Sequence, residues 1–199
     1  MGENLDVLEL SGNQMEELPE RAFANLQMLN SLDLENNRIR NIHPKAFEGI
    51  ESSLEWLKLG DNELPSVPAQ SLRRLRKLRQ LDLRQNRIER IAEDDFRHYG
   101  RTLKFIYLQK NRLHTIEVNS LNELDSLVWL YLPSNQLSVA PYETFRAVLD
   151  TLQILDLHGE CCIHDYREEK VTQISIKKCV STLNFLVGYQ LLHVKLSVL

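Results

Sequence analysis

Apolar positions along this chain follow neither of the two common periods. An amphipathic helix places them at a mean spacing near 3.6, and a half-buried strand alternates them strictly. From Leu78 the chain reads LRQLDLRQNRIERI, with aliphatic residues spaced L-x-x-L-x-L and an Asn three residues after the last of them. Only Leu81-Asp82-Leu83 alternates. The spacing therefore predicts a very short strand that runs straight into a turn.

The pattern recurs. Copies start at Leu5, Leu29, Leu54, Leu78, Leu103 and Leu127, with Asn13, Asn37, Asn62, Asn86, Asn111 and Asn135 at the matching place in each. A seventh copy starts at Leu152 and has Glu160 where Asn should stand. Starts at 5, 29, 54, 78, 103, 127 and 152 lie alternately 24 and 25 residues apart. Two further apolar columns keep step: Leu18, Ile42, Val67, Ile91 and Ile116, then Phe23, Phe47, Leu72, Phe96, Leu121 and Phe145. A unit of this length cannot bury its apolar side alone, so the copies must stack and share one core.

The Asn column has a physical role in such a stack. Where the chain leaves the strand and bends inward, backbone groups are buried, and each one left without a partner costs about 1 to 3 kcal/mol. A carboxamide both donates and accepts. The six Asn residues can thus satisfy backbone groups of their own and adjacent turns as a structural ladder.

These features resemble the leucine-rich repeat family, through the L-x-x-L-x-L-x-x-N-x-L segment and the repeat length, from about Leu5 to Leu157. The resemblance implies an α/β solenoid: an arc with a short parallel β-sheet on its concave face and irregular or 3-10 return segments on its convex face. It would span residues 1-158, with a non-repeat segment over 159-199. The central Phe of Leu18-Pro19-Glu20-Arg21-Ala22-Phe23 is similar to the subclass common in extracellular and cell-surface proteins. The paired repeat lengths resemble chaoptin-like adhesion proteins.

Composition narrows the picture. A formal charge of −4 over 199 residues gives no reason to expect nucleic acid. The run Arg73, Arg74, Arg76, Lys77 and Arg79 lies in a return segment and reads as a solvated outer face. Met1-Gly2-Glu3-Asn4 leads directly into the first Leu, with no signal peptide or N-x-[ST] sequon in the chain. An uncapped start would expose the edge formed by Leu8 and Leu10. The expectation is a fragment of a longer ectodomain, or a chain whose neighbours cover that edge, so that any membrane association comes through missing parts. Three cysteines leave one unpaired in any intramolecular scheme.

Chemistry finds little support. His158, Cys161, Cys162 and His164 have ligand types suited to zinc, but adjacent cysteines are an awkward pair and no second pair sits at finger spacing. They read as an irregular end of the repeat, with no metal and no cofactor. No G-x-S-x-G, phosphate-cradling glycine loop or H-E-x-x-H occurs. His43, His98 and His114 are scattered, and Asp94-Asp95 reads as exposed polar surface. No catalytic residues are assigned, and no small-molecule substrate is expected.

The strands are the place to look for function. In L-x-x-L-x-L the second and third Leu point into the core, so the residues before and between them face the other way. One concave column reads Val7, Ser31, Trp56, Gln80, Phe105, Trp129 and Ile154. The next reads Glu9, Asp33, Lys58, Asp82, Tyr107, Tyr131 and Asp156. Phe105, Tyr107, Trp129 and Tyr131 form a square across two strands, with Trp56 standing apart. Such clusters of exposed rings anchor protein interfaces. Towards the N-terminus the surface turns acidic through Glu9, Asp33 and Glu35, and Asp33, Lys58 and Asp82 complete the candidate site. The expected function is protein recognition in a cell-surface adhesion or receptor-like protein, with self-association as a further mode. The alternative is an intracellular, cytoplasmic adaptor.

Overall fold

The computed structural model describes residues 4–157 and the backbone of three short strands beyond them, Gln173–Ser175, Leu183–Val187 and Gln190–Val194. His158, Cys161, Cys162, His164 and Cys179 lie outside the described residues, as does most of the 159-199 segment.

Each L-x-x-L-x-L copy forms one three-residue strand: β1 Val7–Glu9, β2 Ser31–Asp33, β3 Trp56–Lys58, β4 Gln80–Asp82, β5 Phe105–Tyr107, β6 Trp129–Tyr131 and β7 Ile154–Asp156. They pair in parallel, in chain order, as one seven-stranded sheet. The register aligns equivalent residues, with Leu57 opposite Leu81, Leu81 opposite Ile106 and Ile106 opposite Leu130. Every turn advances by one strand, so the chain is a solenoid.

The strand leucines, Ile39, Leu64, Ile88 and Leu113 fill one continuous core with the Phe column. Phe23 and Phe47 stack with ring centroids 6.1 Å apart. At the first turn Leu8 and Leu10 are only half-buried, and Val7 is exposed.

Helix is scarce among the described residues. It is confined to Ala69–Leu72 and Tyr142–Phe145, with 3-10 turns at Gly100–Thr102 and Arg146–Val148. A return path of about ten residues is too short to repay helix nucleation. Parts of it instead form two-residue parallel bridges, Glu17–Leu18 with Asn41–Ile42 and Arg90–Ile91 with Thr115–Ile116. The intervening copy has Pro65 and Pro68 on either side of Val67, and proline supplies no N–H for such a bridge. Val139–Pro141 pairs antiparallel with Gln173–Ser175, outside the main sheet.

The turn after each strand repeats one geometry. The residue before each Asn is left-handed in all six copies: Gly12, Asn36, Asp61, Gln85, Lys110 and Ser134, with φ between 52° and 69°. That bend turns the Asn side chain inward. Asn86 Nδ2 donates to the carbonyls of Leu83 and Arg84 in its own turn and of Leu59 in the turn before, while its Oδ1 accepts the Leu64 N–H at 2.9 Å. Asn37, Asn62, Asn111 and Asn135 likewise bond to the preceding turn through both ends of the carboxamide. Asn13 is exposed and bonds only to its own turn.

Candidate functional site

Because the strands are parallel and in register, each concave column is a row of side chains about 4.8 Å apart. Phe105 and Trp129 are register partners and meet edge to face at 5.0 Å. Tyr107 and Tyr131 stack at 5.4 Å, and Trp129 meets Tyr131 at 6.3 Å.

Trp56 does not stand apart. It stacks on Phe105 with centroids 6.4 Å apart and planes 16° from parallel, although β4 lies between them. Strands two places apart are about 9 to 10 Å apart, so both rings lean over Gln80. Aromatic side chains are long enough to cross a shorter neighbour on the same face. Trp56, Phe105, Trp129, Tyr131 and Tyr107 therefore form one unbroken band of half-buried rings across four turns.

The acidic side is largely neutralised, contrary to the sequence expectation. Lys58 Nζ lies 2.8 Å from Asp33 Oδ2, and that hydrogen bond, with the Asp33 charge, raises the Lys58 pKa. Arg84 bonds to Glu35 and lies 3.2 Å from Asp82 Oδ2. Asp82 is only 3% exposed, and burial raises its pKa against the opposing pull of the Arg84 backbone N–H and guanidinium. Burial, then the neighbouring Tyr131 and Asp82, raise the Tyr107 phenol. Glu9 remains exposed, so little net acidity is presented beyond it.

Sequence reasoning missed Arg84 and Gly60. Both fall two residues beyond the second concave column, past the intervening core leucine, in a third that runs Ser11, Glu35, Gly60, Arg84, Gln109 and Pro133. A Cβ on Gly60 would meet Arg84 Cγ at 3.0 Å. The missing side chain leaves Arg84 a path to Glu35, two turns away.

The remaining polar groups are elsewhere. Asp94 is exposed and pairs with Arg97, whereas Asp95 is half-buried and accepts the Ala92 N–H at 2.7 Å, so Asp94-Asp95 is not simply exposed surface. Burial pushes the Asp95 carboxyl up to about 6. His43 accepts the Lys45 N–H in a turn. Among the described residues no group of three His, Cys, Asp or Glu is placed to hold a metal ion, and no helix is long and apolar enough to cross a membrane.

Comparison with known proteins places this geometry. The family model described as Leucine rich repeat matches residues 3–53, 29–88, 52–113 and 79–137. Leucine-rich repeat-containing protein 3 of Danio rerio is 43% identical over 47 residues, covering 24% of this chain and 18% of that protein. The crystal structure of TLR13 in complex with ssRNA13 superposes with a TM-score of 0.74 at 30% identity, covering 82% of this chain and 23% of the TLR13 chain. The chain thus spans less than a quarter of either relative.

Proposed function

Since the chain belongs to the leucine-rich repeat family, we propose that it recognises another protein through the concave band Trp56, Phe105, Trp129, Tyr131 and Tyr107, as part of a cell-surface, receptor-like or adhesion protein. One observation carries this reading: five rings lie side by side on a strand face where polar residues would suffice. Tryptophan and tyrosine dominate binding energy at interfaces because they bury large area at small cost in side-chain freedom. The central-Phe repeat form, similar to the subclass common in extracellular and cell-surface proteins, supports a surface location.

A non-enzymatic binding role fits both the family and the site. The likeness to an RNA complex raises RNA as a partner, since single strands are held by rings on which bases stack, beside free cations. Here the concave cations Lys58 and Arg84 are both engaged by carboxylates, which favours a protein.

The test begins with affinity capture from membrane and cytosolic fractions, identification of the bound protein, and titration against the wild-type chain and a Trp129→Ala, Tyr131→Ala variant. A folded double variant should bind more than tenfold more weakly. Unchanged affinity removes this surface from consideration. A partner found only in cytosol would favour the intracellular adaptor, the reading that the odd number of cysteines supports.

A further inference from the structure

The basic run that reads as solvated surface is joined in space by cations of the following turn. Arg76, Arg97, His98 and Arg101, with the single carboxylate of Glu123, line one cleft of about 470 Å³ on the side of the solenoid, between the convex return and the next strand. The cleft is built by the longer repeat. Its extra residue is taken up at Gly100–Thr102, where Thr102 Oγ1 donates to the carbonyls of Leu78, at 2.9 Å, and Arg76. This holds the two turns together beneath the guanidinium groups.

Some of these cations are occupied. Arg74 and Arg79 reach Glu48 and Glu55 of the turn before, Arg97 pairs with Asp94 of its own turn, and Arg101 reaches Glu123 and Asp125 of the turn after. Among the described residues, Arg73, Arg76, Lys77 and Lys104 have no carboxylate within ion-pair distance, and all four are exposed. The cationic strip is thus two to three turns wide, about 10 to 15 Å at the strand spacing, with acidic turns on both sides.

We propose that this strip binds a sulfated polysaccharide chain, with sulfate groups seated on the unpaired Arg76 and Lys77 and drawing Arg97 and Arg101 away from exposed carboxylates. Such surface pairs release at little cost, unlike the half-buried pairs of the concave face. Guanidinium forks match tetrahedral oxyanions bidentately. Three features select this ligand over other anions. The exposed large apolar residues Leu5, Val7, Met28 and Val118 all lie elsewhere, so the strip lacks the apolar anchors that a partner protein needs. Of its two rings Tyr99 is 1% exposed, which leaves only the imidazole of His98, so nucleic-acid bases lack a row of rings to stack on. A duplex is too broad for the strip and would meet Glu48, Glu55, Glu123 and Asp125 at its edges. A slender, hydrophilic polyanion fits.

The test is titration of the chain with a heparin oligosaccharide, its desulfated form, a polyglutamate peptide and a single-stranded RNA, each at 0.05 and 0.3 M salt. The expected result is binding of the sulfated chain alone, at least tenfold weaker at high salt. Arg76→Gln with Lys77→Gln, which breaks no intrachain ion pair, should weaken it at least fivefold. Arg76→Glu, Arg97→Glu and Arg101→Glu together should abolish it, with circular dichroism confirming the fold. Trp129→Ala with Tyr131→Ala should leave it unchanged, which separates this strip from the concave face. No binding of the heparin oligosaccharide at 0.05 M salt, equal binding of the desulfated, peptide or RNA probe, or an unaffected Arg76→Gln, Lys77→Gln variant overturns the proposal.

Discussion

Arg84 reaches Glu35 by crossing Gly60, so one side chain ties together turns two places apart in the stack. In a solenoid most contacts join nearest neighbours, and stability is close to a sum of such terms. A link that skips a turn makes three turns cooperate. The same guanidinium also faces the buried Asp82.

Removing Arg84 should therefore expose the cost of burying Asp82. Arg84→Met is expected to lower unfolding stability by about 2 kcal/mol at pH 7, less than a fully buried pair because Arg84 is partly exposed. The sign with pH follows from linkage. A carboxyl whose folded pKa is raised binds protons more readily when folded, so stability falls as pH rises from its unfolded toward its folded value. Without Arg84 that window widens upward, and the cost should shrink toward pH 3. Denaturant melts from pH 3 to 8 test this, with Asp82→Asn as the control background. An equal cost of Arg84→Met in that background would assign the effect to Glu35 alone.

Asp95 gives a cleaner pH dependence. Its pKa is raised from 3.8 to about 6, so the native state loses stability as pH rises between those values. Each pKa unit is worth about 1.4 kcal/mol, and solvent access at this half-buried site reduces the whole effect to about 1 kcal/mol. Asp95→Asn keeps an acceptor for the Ala92 N–H. It should be more stable than wild type by that amount above pH 6 and no better near pH 3.5. A constant difference across the range would mean that Asp95 does not titrate there.

The Asn ladder should be graded by position. Asn86→Leu leaves the Leu64 N–H without its partner, while the carbonyls of Leu59, Leu83 and Arg84 each lose one of two donors and keep Asn62, Asn111 and the Asp61 N–H. At about 1 to 3 kcal/mol for one buried group left without a partner, with weaker bonding at the carbonyls beside it, a loss of roughly 2 kcal/mol is expected. Asn13→Leu, exposed and bonded only within its own turn, should cost less than about 1 kcal/mol. Urea melts of the two variants compare them directly, and equal losses would show that the contacts between turns add nothing.

Much of this architecture was legible because the leucine and asparagine columns are chemically monotonous: one residue type recurs wherever the geometry recurs. The left-handed column was not legible. Gly12, Asn36, Asp61, Gln85, Lys110 and Ser134 share a backbone conformation but no side-chain chemistry. Long-reach contacts were hidden for a related reason. Columns read from sequence assign each residue to its own strand, whereas Trp56 and Arg84 both act across an intervening turn. The cationic cleft was half visible: Arg73 to Arg79 is a run, but Arg97 and Arg101 join it only through the stacking.

The left-handed column carries its own expectation. A β-branched residue at Lys110, where φ is 55°, should cost about 1 kcal/mol beyond the strain lysine already bears, because its second γ-substituent crowds the backbone in that region. Lys110→Val and Lys110→Gly separate this strain from loss of the lysine. Thermal melts should place the glycine variant near wild type and the valine variant clearly below it, while coincident curves would remove backbone strain as the cause.

The aromatic band makes a prediction that needs no partner. If Trp56 and Phe105 stack over Gln80, their substitutions should not be additive. Aromatic pairs contribute about 0.5 to 1.5 kcal/mol beyond the area they bury. A double-mutant cycle of Trp56→Ala and Phe105→Ala should return a coupling in that range, although the residues sit on strands that do not pair. The cycle Trp56→Ala with Tyr107→Ala, whose rings have no direct contact in this band, serves as the reference and should be additive. Gln80→Ala in the wild-type background should then be nearly neutral, because the rings cover the site rather than rest on the amide. Coupling of zero between Trp56 and Phe105 would reduce the band to the Phe105, Tyr107, Trp129 and Tyr131 square, leaving the interface two strands wide.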